Sequence, residues 1–356
     1  MLRAERSSRE RARRAGARLK APARPFRERA GRSFFFLRGQ RSIRLHKHRR
    51  APVFAKGFGG GLLHHLFAVV ALAALTGSGC VSKTAPPAGT RPFTDEIGRT
   101  VLVKPEPQRI VSLAPSITET LFALGLGERI VGVTSYCDYP PEAASKEKVG
   151  DTQRPSIEKI IALKTDLVIA STASQLQQFV HSLEEVGTPV YVSDPRDVNG
   201  VLVSITRIGE LTGTTTQARE LASELQRRVE YVQSRGIGSE RPRVLCLLAS
   251  NPLITIGSKS FVTDLINRAG GRSISEDISG DYPQYSLETA VAKRPEVIFL
   301  ETGDSDLPGR LKDTPAGRSG RVFHIDENLL LRPGPRIVEG LEEMARRLHP
   351  ELFLKQ

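Results

Sequence analysis

The chain has 356 residues, a formal charge of +13, three cysteines and no tryptophan. That charge would suggest nucleic acid, but residues 1–56 hold 19 Lys and Arg against three acids. The remainder, 33 basic against 36 acidic residues, carries a net −3, which excludes a basic nucleic-acid-binding body.

Residues 1–56 read as a basic leader, too long for the charged start of a secretory signal. No methionine lies between Met1 and Met344, so translation is expected to begin near Val53 from a non-AUG codon, leaving Lys56 as the signal's charge; a basic arm for nucleic acid is the competing reading. Within 57–80, the run Leu66–Leu75 is uninterrupted and apolar, too short to span a bilayer but suited to a signal's hydrophobic region. The ending Ser78-Gly79-Cys80 resembles the lipobox of bacterial lipoproteins. Cys80 is therefore expected to be cut free and lipidated, anchoring the chain at the membrane in the periplasm or on the cell surface, with plain secretion and a retained anchor as alternatives. Residues 81–94, rich in Pro, Thr, Gly and Ala, read as a flexible tether.

The stretch 95–197 reads as a first α/β lobe. Phe93–Val101 is expected as a hairpin turning at Gly98. Arg109–Leu113 is a strand leading into a helix, with Ser116 and Glu119 at capping-box spacing and Gly125 and Gly127 at its end. Strand Ile130–Val133, helix 156–163, strand 166–170, helix 174–186 and strand 189–192 follow, an alternation that predicts a parallel-leaning sheet. The segment 198–235 shows no strand signal: helix Val201–Leu211 breaks at Thr212–Thr214, and Thr215–Ser234 carries Ala218, Leu221, Leu225, Val229 and Val232 on one stripe. At about 30 Å, this second helix reads as a rigid spine. Residues 236–356 repeat the α/β plan, with strand Arg243–Ala249, helix Ser260–Ala269, strand Arg321–Ile325 and a final helix Pro335–Leu348. Cys137 and Cys246 fall in different lobes and read as two unpaired thiols, an interlobe disulfide being the other reading.

One pattern occurs in both lobes. Gly150-Asp151, Ser156 and Glu158 recur as Gly280-Asp281, Ser286 and Glu288, each at an offset of 130 residues. Each copy is a turn, a helix capped by serine and a buried strand. The glutamates complement the helix dipole or, as symmetric exposed carboxylates, serve a partner.

Arg109–Glu119, Gly132–Pro141 and Ile160–Ile169 resemble the cobalamin-binding proteins of vitamin B12 ABC importers and, more broadly, the helical-backbone binding proteins for iron-siderophores, haem and B12. The likeness runs over about residues 95–350. It implies two similar α/β lobes joined by a long rigid helix, a cleft that holds a large metal chelate, and delivery to an ABC permease and its ATPase by a monomeric, non-enzymatic receptor. The expected ligand is cobalamin or a related corrinoid, with a ferric siderophore or haem as the alternative. Glu158 and Glu288 match the family's permease-docking glutamates. Tyr136 and Arg332 match ligand-contacting positions, Thr152 and Tyr282 fall where the family places cleft tryptophans, and Asn328 falls where it places an acid. No resident metal or catalytic group is expected: His181, His324 and His349 stand apart from any metal-site spacing, and neither a nucleophile elbow nor a phosphate loop is present. His324 is the histidine to test as an axial ligand. An enzyme or sensor reusing the bilobal fold is the reading from another class.

Overall fold

The strand sequences explain the layering. In Leu167-Val168-Ile169-Ala170, alternate side chains enter two different apolar clusters, as they do in Val297-Ile298-Phe299-Leu300. A strand buried on both faces needs a layer on each side of its sheet. The computed structural model describes residues 89–172, 177–236, 239–301 and 307–353. The leader 1–56, the signal 57–80 with Cys80 and most of the proposed tether lie outside these residues.

The described chain opens with β1 (Arg91–Thr94) and β2 (Thr100–Val103), paired antiparallel. The hairpin falls where expected, with the turn ending at Gly98, but Arg91–Thr94 is strand where the sequence suggested the end of a tether. Asp95 closes the turn by accepting from the backbone of Ile97 and Arg99. The first lobe then comprises β3 (Ile110–Ser112), α1 (Pro115–Ala123), β4 (Ile130–Val133), β5 (Glu147–Lys148), α2 (Ile157–Ala162), β6 (Leu167–Ser171), α3 (Gln177–Glu185) and β7 (Val190–Ser193). Its strands lie in the order β5-β4-β3-β6-β7, all parallel.

The spine is α4 (Val198–Thr212) and α5 (Thr215–Gly236), packed against each other. Gly213 ends α4 in the left-handed conformation. On α5, Ala218, Leu225, Val229 and Val232 are buried and Leu221 is partly buried, which together make the stripe read from the sequence.

The second lobe comprises β8 (Arg243–Ser250), β9 (Leu253–Thr255), α6 (Phe261–Arg268), β10 (Arg272–Ser273), α7 (Leu287–Ala292), β11 (Val297–Glu301), α8 (Pro315–Ser319), β12 (Val322–Ile325), α9 (Glu327–Leu330) and α10 (Ile337–Leu348). Its parallel order is β10-β8-β11-β12, with β9 antiparallel on β8. One continuous core cluster takes residues from both lobes and the spine: Ile117, Leu121 and Ile169 join Val229, Phe299, Ile337 and Leu341. Two smaller clusters fill the remaining face of each sheet.

The internal repeat is structural. Ser156 and Ser286 each accept from the backbone N–H three residues on, and Lys164 and Arg294, again 130 apart, take positive φ at the helix ends. Gly150 and Gly280 both have positive φ. Two local expectations are corrected, and one element is new. The first helix is not capped by Ser116 and Glu119: Ala114 is its N-cap, without a side-chain hydrogen bond, and Pro115 presets the first turn. The final helix begins at Ile337, two residues later than expected, with Arg336 as N-cap. The short α9 carries no helical signal in four residues and went unread. Among the described residues, no helix is long and apolar enough to cross a membrane.

Candidate functional site

In open parallel sheets, ligand-binding loops sit outside the carboxyl ends of the strands. Each position singled out for ligand contact follows such an end. Tyr136 lies after β4, Thr152 after β5, Tyr282 after β10, and Asn328 and Arg332 after β12.

The loop after β4 is organised by its cysteine. Cys137 is buried, and its Sγ accepts from the Thr118 hydroxyl at 3.1 Å while its carbonyl accepts from Lys148 Nζ at 3.2 Å. Drawing this residue inward leaves its neighbours outside: Tyr136 and Tyr139 are exposed, as is the side chain of Asp138. Ser135 N–H donates to the Gly150 carbonyl at 2.8 Å, which joins this loop to the turn bearing Thr152. That turn is shaped by Asp151, whose carboxylate accepts from the backbone of Gln153 and Arg154 at 2.7 and 2.6 Å. Thr152 is half-buried.

Across the sheet ends, Tyr282 presents an exposed aromatic ring from the second lobe. Its loop rests on the segment before α6: Gly257 and Lys259 donate to the carbonyls of Asp281 and Gly280 at 2.8 and 3.2 Å. Asn328 sits in the first turn of α9, where its backbone and side-chain amides both donate to Asp326, at 2.9 and 2.8 Å.

Arg332 and Arg336 bring the lobes together. The Arg332 guanidinium donates to Asp138 at 2.6 and 3.3 Å and to Glu119 at 3.2 Å, both in the first lobe. Arg336 donates twice to the same Glu119, at 3.0 and 2.6 Å, and lies 3.9 Å from the centre of the Tyr139 ring. The bond from Arg332 holds the Asp138 carboxyl below its usual range. Sequence reasoning gave Glu119 a capping role and passed over Asp138 and Arg336. The missed signal was an acid in the middle of an apolar helix, together with the paired arginines of Arg332-Pro333-Gly334-Pro335-Arg336.

Glu158 and Glu288 are placed alike, one per lobe. Both are exposed, and each accepts from the serine two residues earlier, at 2.8 and 2.9 Å. Their own backbone N–H groups and those serines keep both carboxyls below the usual range, so they stay charged. Glu288 also faces Arg310 at 3.9 Å. The dipole and partner readings are thus compatible: the helix start fixes each carboxylate, and its exposure leaves it accessible.

Cys137 and Cys246 are free and buried, and burial pushes the Cys246 thiol up to about 12. His181 and His324 are exposed, and His349 is buried against the Gly270 carbonyl. Among the described residues, no three His, Cys, Asp or Glu side chains are grouped to hold a metal ion.

Residues 110–329 match the model of a family described as periplasmic binding protein. A vitamin B12-binding protein of Vibrio parahaemolyticus is 29% identical over 242 residues, covering 67% of this chain and 88% of its own length. An ABC transporter substrate-binding lipoprotein of Bacillus subtilis is 33% identical over 270 residues, 73% of this chain and 85% of its own. Among solved structures, the periplasmic vitamin B12-binding protein of Vibrio cholerae aligns with a TM-score of 0.64 at 27% identity, over 70% of this chain and 99% of that one. A periplasmic haem-binding protein from Roseiflexus gives 0.62 at 28% identity, over 69% and 99%.

Proposed function

We propose that this chain, which belongs to the periplasmic binding protein family, is the substrate-binding component of an ABC importer and captures cobalamin or a related corrinoid between its lobes. One observation carries the reading: exposed tyrosines on strand-end loops of both lobes, Tyr136 and Tyr282, accompany a guanidinium, Arg332, that reaches from one lobe to the other. A flat macrocycle with amide arms needs that combination, since rings cover its apolar face and a guanidinium donates to its carbonyls. Tyr136, Thr152, Tyr282, Asn328 and Arg332 are the proposed ligand-contacting set.

Glu158 and Glu288 are the proposed docking points for the permease, which works with its ATPase. Two charges on separate lobes fix orientation as well as attraction. The receptor is proposed to act as a monomer held at the membrane through lipid on Cys80, and to perform no chemistry on its cargo. Mass spectrometry of the cellular protein tests the anchor: a diacylated N-terminal Cys80 supports it, and an intact residue 1–80 segment refutes it.

The likeness to haem-binding structures gives the second reading, haem or a ferric chelate. Calorimetric titration of the purified full-length chain with cyanocobalamin, haemin and a ferric siderophore separates the two. Saturable binding of cyanocobalamin is expected; heat only with haemin or the siderophore would replace the corrinoid, and conversion of any of them by the chain alone would point to an enzyme.

A further inference from the structure

The ion pairs between the lobes are of two unlike kinds. Glu119 belongs to α1 of the first lobe, and its side chain is only 2% exposed. Its three guanidinium bonds all come from the second lobe, two from Arg336 and one from Arg332. The two arginine side chains are 14% and 15% exposed. Asp138, the other partner of Arg332, is 64% exposed. Exposed pairs in water contribute little, whereas a buried carboxylate bonded on both oxygens is costly to leave without its cations.

The backbone is shaped to permit this. Gly334 lies midway between the two arginines, and a Cβ there would stand 3.0 Å from the Ser116 carbonyl oxygen and 3.2 Å from Ser116 Cα. The second-lobe loop therefore lies directly on the first turn of α1, with one arginine on each side of the contact. Both reach the same carboxylate one turn further along α1, and Tyr139 covers Arg336 from the first lobe.

We propose that Glu119 is a positioning residue: its buried carboxylate pins the second lobe to the first through Arg332 and Arg336, setting the width of the cleft and the aim of Arg332 before ligand arrives. The exposed contact with Asp138 is the dispensable part of the network. The proposal rests on the binding-protein reading for its purpose, but the pin itself exists without ligand and is testable without it.

The test measures the distance between spin labels on cysteines introduced by E142C in the first lobe and R318C in the second, with Cys80 removed by C80S and buried Cys137 and Cys246 left in place. In the ligand-free full-length chain a narrow distribution is expected. Glu119→Gln should broaden it or lengthen its mean, while Asp138→Asn should leave it unchanged. If Glu119→Gln does not fold, Glu119→Met with Arg336→Met removes one charge of each sign and should fold with the same broadening. Cyanocobalamin should then dissociate about tenfold faster from the Glu119 variant. A distribution unaltered in every Glu119 variant, or altered as much by Asp138→Asn, overturns the pin. Failure of the unsubstituted chain to bind cyanocobalamin overturns the ligand reading alone, because the distances are recorded without it.

Discussion

Adding one methyl group at Gly257 should unseat the Tyr282 loop. Gly257 lies against that loop so closely that a Cβ would overlap the Gly280 carbonyl oxygen outright and stand 2.9 Å from the Ile278 carbonyl oxygen. Ordinary contact begins at 3.4 Å, so the loop must retreat by about one ångström. The same strip is held by Gly257 N–H to Asp281 and Ser258 N–H to Ile278, both 2.8 Å, and by Thr255 N–H to Pro283 at 3.1 Å. Weakening one or two of these at about 1 kcal/mol each, plus the strain of overpacking, gives about 2–4 kcal/mol for Gly257→Ala. In a domain of this size, where 1 kcal/mol moves the midpoint by about 2 °C, that is a Tm lower by roughly 4–8 °C. Gly309→Ala serves as the control, since nothing lies within 4 Å of its Cβ position. Thermal denaturation followed by circular dichroism reads the stability, and calorimetry with cyanocobalamin reads the site. A melting point within about 1 °C of the control would refute the packing argument. A lowered melting point with unchanged affinity would refute the placement of Tyr282 in the binding surface.

The ligand face itself predicts opposite outcomes at its two symmetric turns: Tyr282→Ala should weaken cyanocobalamin binding roughly tenfold, and Thr152→Tyr should strengthen it several-fold by restoring a ring, both read by calorimetry. The double change Glu158→Ala with Glu288→Ala should leave ligand affinity intact and impair uptake in cells; undiminished uptake would remove these carboxylates from docking. The Asp138 carboxyl is depressed below its ordinary 3.8 by Arg332, so its contribution is complete above that value and lost as pH falls through the lower, folded value. Asp138→Asn should therefore melt slightly earlier than the native chain across about pH 5–8, with the deficit closing only below 3.8. A deficit that persists unchanged into strong acid would assign it to another cause.

Much of the architecture was legible because it is written in short-range pattern. The spine could be read from one stripe of α5, and the twin turns from a spacing kept through two copies, down to the serines that cap both helices. The capping role assigned to Glu119 failed for a specific reason. Ser116 and Glu119 have capping-box spacing, but Pro115 starts the helix earlier, so the serine falls inside it. What Glu119 does instead depends on arginines 213 and 217 residues away, a relation no local period encodes. Asn328 illustrates the other limit: four residues of helix are too few for periodicity to appear.

The apolar cluster that runs unbroken through both lobes and the spine bears on traffic at the membrane. A receptor that cannot hinge widely without opening its own interior presents almost the same outline loaded or empty. If Glu158 and Glu288 dock the permease as proposed, that docking would discriminate poorly between the two. Surplus empty receptor should occupy the transporter and slow import, so the ratio of receptor to permease becomes a quantity the cell must hold down.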